Sequence, residues 1–159
     1  MTKTRQTYES RSALFAKACD IGYEILSKAE IPEEEKQREL RIILSDKNMA
    51  LNPLPQYKRI DSLKCIEAEH FWYWNEKSGP HIREYWKAIS KAGLPYKGKD
   101  IIALVLKRGR VKDIYEFDFL KDELFVSEQT ERVTSAEAET IKAAMVKFEF
   151  KHQKTAPNN

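Results

Sequence analysis

The chain has 159 residues, of which 42% are hydrophobic and 33% are charged, and its formal net charge is +3. This composition excludes a fibrous or a disordered polypeptide, and the length is typical of one globular domain, which we predict over residues 1–150 with a flexible tail over residues 151–159. No apolar run approaches the roughly 20 residues that a membrane span needs. No signal peptide is visible, so the sequence predicts a cytoplasmic protein without membrane association.

Five helices are predicted from hydrophobic periodicity and from helix-start signals. Pro32 followed by three glutamates predicts the start of the second helix, and the prolines at positions 53 and 55 predict a loop over residues 46–59. Thr134 and Glu137 have the spacing of a capping box, which predicts the start of the last helix. The predicted ranges are about Tyr8–Ala29 for helix 1, 32–44 for helix 2, 62–77 for helix 3, 81–92 for helix 4, and a last helix from 134 onward.

The stretch between helix 4 and the last helix predicts a sheet. Ile101 to Lys107 is mostly apolar and predicts a buried strand, and Arg108-Gly109 predicts a tight turn after it. Val111 to Leu120 alternates aromatic and acidic residues, which predicts a half-buried second strand, and Leu124 to Val126 predicts a short third strand. The predicted fold is therefore α+β, with four N-terminal helices, a three-stranded antiparallel β-meander, and a C-terminal helix.

Two neighbouring blocks of the sequence carry opposite charge. Residues 81–112 contain nine basic and two acidic residues, whereas residues 113–149 contain ten acidic and four basic residues. Such asymmetry concerns partners and association rather than fold. One interpretation is that the basic residues are only solvated or pair with the acidic block within the fold. The other interpretations are a nucleic-acid partner and an acidic protein partner, and a homodimer is left open.

Helix 3, the turn after it, helix 4 and the basic hairpin that follows together resemble the winged-helix family. In that family the second helix enters the major groove and a basic hairpin tip contacts the phosphate backbone. The segment Ser90 to Leu94 is similar to the end of many recognition helices of the family. The resemblance implies contact with nucleic-acid backbone through Arg83, Lys87 and Lys91 on helix 4 and through Lys107, Arg108, Arg110 and Lys112 at the hairpin tip.

Helix 3 carries four aromatic residues in succession, from Phe71 to Trp74. At about 100° per residue they surround most of the helix, so a surface helix cannot bury them all. One explanation is a central helix that is covered on two sides. A second is a partner surface anchored by Trp72 and Tyr73, which predicts a protein-binding adaptor, inhibitor or immunity-type protein. A third is a small-molecule pocket.

No catalytic, cofactor or metal motif in this sequence is specific. It contains no glycine-rich phosphate loop and no nucleophile motif. Glu67 and His70 have the spacing of a metal-binding pair in helical bundles, but the further ligands have no source, so we predict no metal site. Glu116 and Asp118 on the predicted sheet leave a small hydrolase or nuclease as an alternative. The leading interpretation is a non-catalytic binding module without a cofactor.

Overall fold

The computed structural model describes residues 5–155, and within that range the chain is all helical. A short 3₁₀-helix (Pro55–Tyr57) lies between two of the α-helices. None of residues 5–155 lies in a strand. The prediction of an α+β fold with a three-stranded meander is therefore wrong. The α-helices are α1 (Tyr8–Lys28), α2 (Glu33–Leu51), α3 (Ile60–Glu76), α4 (Pro80–Lys91), α5 (Ile101–Arg108), α6 (Ile114–Gln129) and α7 (Ser135–Thr155).

The first predicted strand is helix α5 because both of its ends carry helix caps. The Asp100 side chain accepts a hydrogen bond from the Ala103 amide at 3.1 Å. Gly109 ends the helix with a φ of 78°, a left-handed conformation that favours glycine. A short apolar run fits a buried strand and a buried helix equally well. Ile101 and Val105, about one turn apart, are buried on the same helical face.

The third predicted strand and the second from Ile114 onward lie in helix α6, whereas residues 111–113 of the second belong to the loop before this helix. Asp113 caps this helix by accepting a hydrogen bond from the Glu116 amide at 3.0 Å. Alternating aromatic and acidic residues predict alternating burial, but here Glu116 is buried and Tyr115 is 51% exposed. The buried face follows the helical spacing of Leu120 and Leu124 instead. The described residues therefore contain no hairpin, and the predicted basic hairpin tip and winged-helix arrangement are wrong.

Helix α2 is longer than its apolar periodicity predicts. The predicted end lies near Leu44, but the helix continues to Leu51 and ends where Asn52 precedes Pro53. Asp46, which was predicted to lie in a loop, is therefore helical, and only 1% of it is exposed.

Helix α7 begins at the predicted capping box, which is confirmed. The Glu137 amide donates to the Thr134 hydroxyl at 3.1 Å, and the Thr134 amide donates to the Glu137 carboxylate at 3.0 Å. The helix continues to Thr155, so it includes residues 151–155 of the predicted flexible tail. Residues 156–159 of that tail lie outside the described residues.

The helices group into two compact units, which we call unit 1 and unit 2. Unit 1 contains α1, α2, the 3₁₀-helix, most of α3, and α4 with the segment that follows it up to Gly98. Unit 2 contains Glu76–Gly79 together with α5, α6 and α7. The prediction of one domain over residues 1–150 stays a prediction.

Unit 1 has a core of large aromatic side chains. The rings of Trp74 and Tyr85 are fully buried and stack with 3.9 Å between their centroids. Gly22 of α1 permits this packing, because a Cβ there would lie 3.1 Å from the Trp74 ring. The aromatic run of α3 is thus partly core, since Tyr73 is 4% exposed whereas Trp72 is 52% exposed.

Unit 2 is built from three helices, each of which contacts the other two. Its core is mainly aliphatic, and Leu120 of α6 and Ile141 of α7 are fully buried in it. Three large aromatic side chains of the same helices lie at the surface: Tyr115 is 51% exposed, Phe125 is 66% exposed and Phe150 is 57% exposed.

No helix within residues 5–155 combines the length and the apolar composition needed to cross a membrane. The cytoplasmic location stays a prediction.

Candidate protein-binding surface

The seven basic residues predicted to bind nucleic acid are divided between the two units. In unit 1, Lys87 and Lys91 are exposed on α4 and Arg83 is partly buried on the same helix. The other four lie in unit 2, at the end of α5 and in the loop that precedes α6, and are Lys107, Arg108, Arg110 and Lys112. Binding of nucleic acid by these residues stays a prediction.

A buried carboxylate holds the guanidinium of Arg108. Its Nη1 donates to Glu116 Oε1 at 2.7 Å and its Nη2 donates to Oε2 at 3.3 Å, and Glu116 is only 4% exposed. The hydrogen bond with Glu116 raises the pKa of Arg108. A guanidinium that already makes a bidentate pair with a carboxylate has fewer donors to offer a phosphate.

The same carboxylate fixes the loop between α5 and α6, residues 109–113. Glu116 Oε1 also accepts a hydrogen bond from the Lys112 amide at 2.8 Å. Gly109 supplies the left-handed turn at the start of the loop, and Val111 in its middle is buried. Arg110 lies between these fixed points, and its side chain is exposed.

An open groove of about 510 Å³ lies between this loop and the second half of α7. Much of its apolar lining is accessible to solvent, since Val146 is 64% exposed and Phe150 is 57% exposed. Phe148 joins the groove to the core by packing against Phe117, with 5.4 Å between the ring centroids. We call this site the basic groove, and its lining residues are Gly109, Arg110, Val111, Ala144, Val146, Lys147, Phe148, Phe150 and Lys151.

The charge of the basic groove has one sign. Of the described residues that line it, three are basic and none is acidic. Arg110 comes from the loop, and Lys147 and Lys151 come from α7, four residues apart on one helical face. Contiguous exposed apolar surface with a polar rim marks an interaction site on a folded protein. The groove therefore suits a ligand that combines apolar groups with negative charge.

Unit 1 contains a second groove, of about 470 Å³, between the end of α2 and the start of α3. It is also apolar, with Leu54 59% exposed and Tyr57 57% exposed. Its described lining includes no charged side chain, so its electrostatics favour no particular ligand. We call it the neutral groove, and its lining residues are Asn48, Met49, Asn52, Pro53, Leu54, Tyr57, Ser62, Cys65 and Ile66.

Titratable side chains in the core of unit 1 are engaged with one another. His70 Nε2 lies 2.9 Å from the Tyr85 hydroxyl, and burial lowers the pKa of His70 to about 4. Arg11 Nε donates to Glu67 Oε2 at 3.0 Å. Both members of the Glu67–His70 pair therefore have protein partners. In the described part of the chain, no three or more His, Cys, Asp or Glu side chains are grouped to hold a metal ion.

The two aromatic residues predicted at a protein interface have different surroundings. Trp72 presents about half of its surface to solvent, whereas Tyr73 is almost fully buried. The Tyr73 hydroxyl lies 3.0 Å from His81 Nε2, and burial raises the pKa of Tyr73.

The α7 side of the basic groove is not among the predicted sites. A signal for it was present in the last helix. Val146 and Phe150 are apolar and four residues apart, yet they lie outside the apolar face that predicts the core contact of this helix. Lys147 directly follows Val146, and Lys151 directly follows Phe150. A second apolar stripe beside a basic stripe on one helix indicates a binding surface in addition to a core face.

No protein-family model, no curated protein and no solved structure matches this chain. The function is therefore argued from the chemistry of the surface itself.

Proposed function

We propose that the protein is a non-catalytic binding module whose basic groove takes an acidic, partly apolar segment of a partner protein. The observation that carries this proposal is the combination of exposed apolar wall and three cations in one concavity of unit 2. Apolar contact supplies binding free energy, and the cations at the rim select partners of negative charge.

The openness of the groove favours a peptide segment over a small molecule. Pockets for small ligands enclose most of the ligand surface. Here Val146 and Phe150 each leave more than half of their surface exposed, so a small ligand would stay largely in water. An amphipathic helix needs only one covered face, which it lays into an apolar groove while its polar face stays in solvent.

Two observations favour a protein over nucleic acid as the ligand. Arg108 already pairs with Glu116, which removes one of the predicted phosphate contacts. The aliphatic side chains of the apolar wall, Val111, Ala144 and Val146, offer no donor to a phosphate. Nucleic-acid binding through Arg83, Lys87, Lys91 and the loop before α6 is therefore the second candidate.

The alternative of a small hydrolase or nuclease has less support. It needed Glu116 and Asp118 together on the wet face of a sheet. Glu116 is buried in its pair with Arg108, whereas Asp118 is an exposed residue of helix α6.

The test is a titration followed by fluorescence anisotropy, with the full chain at low salt. The probe is a labelled synthetic helix-forming peptide with leucine and phenylalanine on one face and glutamate on the other. We expect the wild-type protein to bind it, and Lys147→Glu to weaken binding on the order of tenfold or more. Lys142→Glu is the matched control, because Lys142 lies on the same helix but does not line the groove.

The outcome that contradicts the proposal is equal binding by the wild type and by Lys147→Glu, or no binding at all. A labelled duplex DNA and a labelled single-stranded RNA form the second arm. If either binds more tightly than the acidic peptide and Lys147→Glu abolishes that binding, the nucleic-acid candidate replaces the protein partner.

A further inference from the structure

Helix α6 carries an exposed face that is both acidic and aromatic. Tyr115, Asp118, Asp122 and Phe125 recur at spacings of three and four residues, so at about 100° per residue they fall in one sector of the helix. All four side chains are exposed, and Phe125 is the most exposed large apolar residue of the described chain at 66%. We call these four residues the acidic stripe.

The acidic stripe points away from the interior of unit 2. Leu120, a buried residue of α6, lies on the opposite side of the helix from Asp118. The stripe makes at least one contact within its own unit, since the Ser78 hydroxyl donates to Asp122 Oδ2 at 2.6 Å. Its large apolar ring and its carboxylates nevertheless lie at the surface.

The acidic stripe and the basic groove are chemically complementary. One presents carboxylates beside an aromatic ring on a helix, and the other presents Arg110, Lys147 and Lys151 beside an apolar wall. We infer that the basic groove takes helix α6 of a second copy of this chain, through Asp118, Asp122 and Phe125. This inference rests on the proposed function of the groove and names its partner.

The two surfaces are separate, which determines the kind of assembly. No described residue of α6 lines the basic groove. A contact between two different surfaces of identical chains is heterologous, and it produces either a closed ring or a growing chain. Each copy then offers its groove and its stripe to other copies. The assembly either closes as a ring, of which a two-fold dimer is the smallest, or grows with concentration.

Electrostatic attraction between the two surfaces makes the association sensitive to salt. The charges on both sides are exposed, and the Debye length is about 8 Å at physiological ionic strength. We therefore expect the association to weaken as salt is added, while the apolar contact of Phe125 preserves part of it.

The experiment is analytical ultracentrifugation of the full chain over a range of concentrations at low salt. Two variants block one surface each: Lys147→Glu blocks the groove, and Asp118→Lys blocks the stripe. We expect the weight-average mass of the wild type to rise above 18.6 kDa with concentration, and both variants to stay near that value. An equimolar mixture of the two variants should have a higher mass than either variant alone, because the intact groove of one variant meets the intact stripe of the other and the two reversed charges also attract each other.

Phe125→Ser serves as a second stripe variant without a change of charge, and Lys142→Glu is the control that leaves association unchanged. Circular dichroism checks that each variant is folded. We expect folding to be kept, because the four substituted side chains are all exposed: Asp118, Phe125, Lys142 and Lys147. A wild-type mass that stays at the monomer value, an association that neither variant reduces, or a mixture that stays monomeric would each overturn the inference.

The inference and the proposed function fail in different ways. If the acidic peptide binds the groove but the wild-type chain does not self-associate, the inference is wrong and the proposed function stands. If neither occurs, both are wrong. If self-association responds to both variants while the peptide does not bind, the inference stands and the wider proposal of an acidic partner protein is wrong.

Discussion

Asp46 in unit 1 and Glu116 in unit 2 are both buried carboxylates, but they have very different hydrogen-bond partners. Glu116 accepts two hydrogen bonds from the guanidinium of Arg108 and one from the Lys112 amide. Asp46 Oδ2 is buried and accepts no hydrogen bond from any described residue. The first carboxylate is compensated by donors and the second is not.

The surroundings of Asp46 add to this difference. Burial, together with smaller contributions from the nearby acids Glu69 on α3 and Glu39 on α2, raises the pKa of Asp46 to about 7. Burial also raises the pKa of the Cys19 thiol on α1, and the charge of Asp46 contributes to that increase. Burial alone therefore does not make a carboxylate stabilising. Glu116 holds the loop at residues 109–113 because donors surround it, whereas we expect Asp46 to weaken its own unit when it ionises.

The largest expected effect is that of Asp46→Asn on unit 1 above neutral pH. Between its usual pKa of 3.8 and about 7, the folded Asp46 keeps a proton that the unfolded chain has lost. The free energy of unfolding therefore falls as pH rises through this window, by about 4 kcal/mol in total. The asparagine side chain of the variant has no proton to lose, so we expect the variant to match the wild type near pH 4 and to exceed it by about 4 kcal/mol at pH 8.

The measurement is urea unfolding followed by tryptophan fluorescence. All three tryptophans, Trp72, Trp74 and Trp86, lie in unit 1, so this signal reports on that unit. A stability difference between variant and wild type that is the same at pH 4 and pH 8 would contradict the assignment of Asp46 as an uncompensated buried carboxyl.

Glu116→Gln should lower the free energy of unfolding, and by less than Asp46→Asn raises it. The glutamine keeps an acceptor for the Lys112 amide but turns an N–H group toward Arg108, so charge-assisted hydrogen bonds are lost. We expect unit 2 to be less stable by about 2 kcal/mol. Unfolding is followed by far-ultraviolet circular dichroism, which detects the helices of both units. Glu128→Gln is the control, because its pair with Lys142 is more exposed and contributes less.

Arg110→Ala should weaken acidic-peptide binding by about 0.5 to 1 kcal/mol, or about two- to fivefold, without changing stability. Lys107→Ala is the matched control, because Lys107 belongs to the same basic run but does not line the groove. Equal losses for the two variants would indicate a diffuse electrostatic surface of the kind that binds phosphate backbone, and would argue against a defined groove.

The smallest effect is expected for an exposed carboxylate. Glu24 and Lys28 form a pair on α1 in which both side chains are more than two-thirds exposed. Removing this pair by Glu24→Gln should change the free energy of unfolding by no more than about 0.5 kcal/mol. If Glu24→Gln lowers the free energy of unfolding as much as Glu116→Gln does, then the exposure of a carboxylate does not determine how much its ion pair contributes to stability.

Local signals along the sequence predicted part of the fold. The capping box at Thr134, the proline at position 32 and the periodicity of helices α1, α3, α4 and α7 all depend on neighbours within a few residues. The error over residues 101–126 has a local cause too. A short apolar run, or a brief alternation of aromatic and acidic residues, fits a strand and a helix equally well. The helix caps at Asp100 and Asp113, which favour a helix, were not part of the prediction.

The candidate site depends on contacts that local patterns do not contain. The basic groove joins the loop at residues 109–111 to residues 144–151 of α7, more than thirty residues later. The charge block around Arg110 was visible in the sequence, but its apolar counterpart on α7 became part of the same surface only through the packing of three helices. In the same way, Asp46 interacts electrostatically with Cys19 of α1 and with Glu69 of α3, each more than twenty residues away in the sequence.

The most direct test of the binding site is a two-dimensional amide NMR titration of the isotope-labelled full chain with the acidic amphipathic peptide. We predict that chemical-shift changes concentrate at residues 109–111 and 144–151, while the amides of the neutral groove, residues 48–66, stay where they are. Changes that concentrate in the neutral groove or on α4, with the basic groove unaffected, would contradict the account.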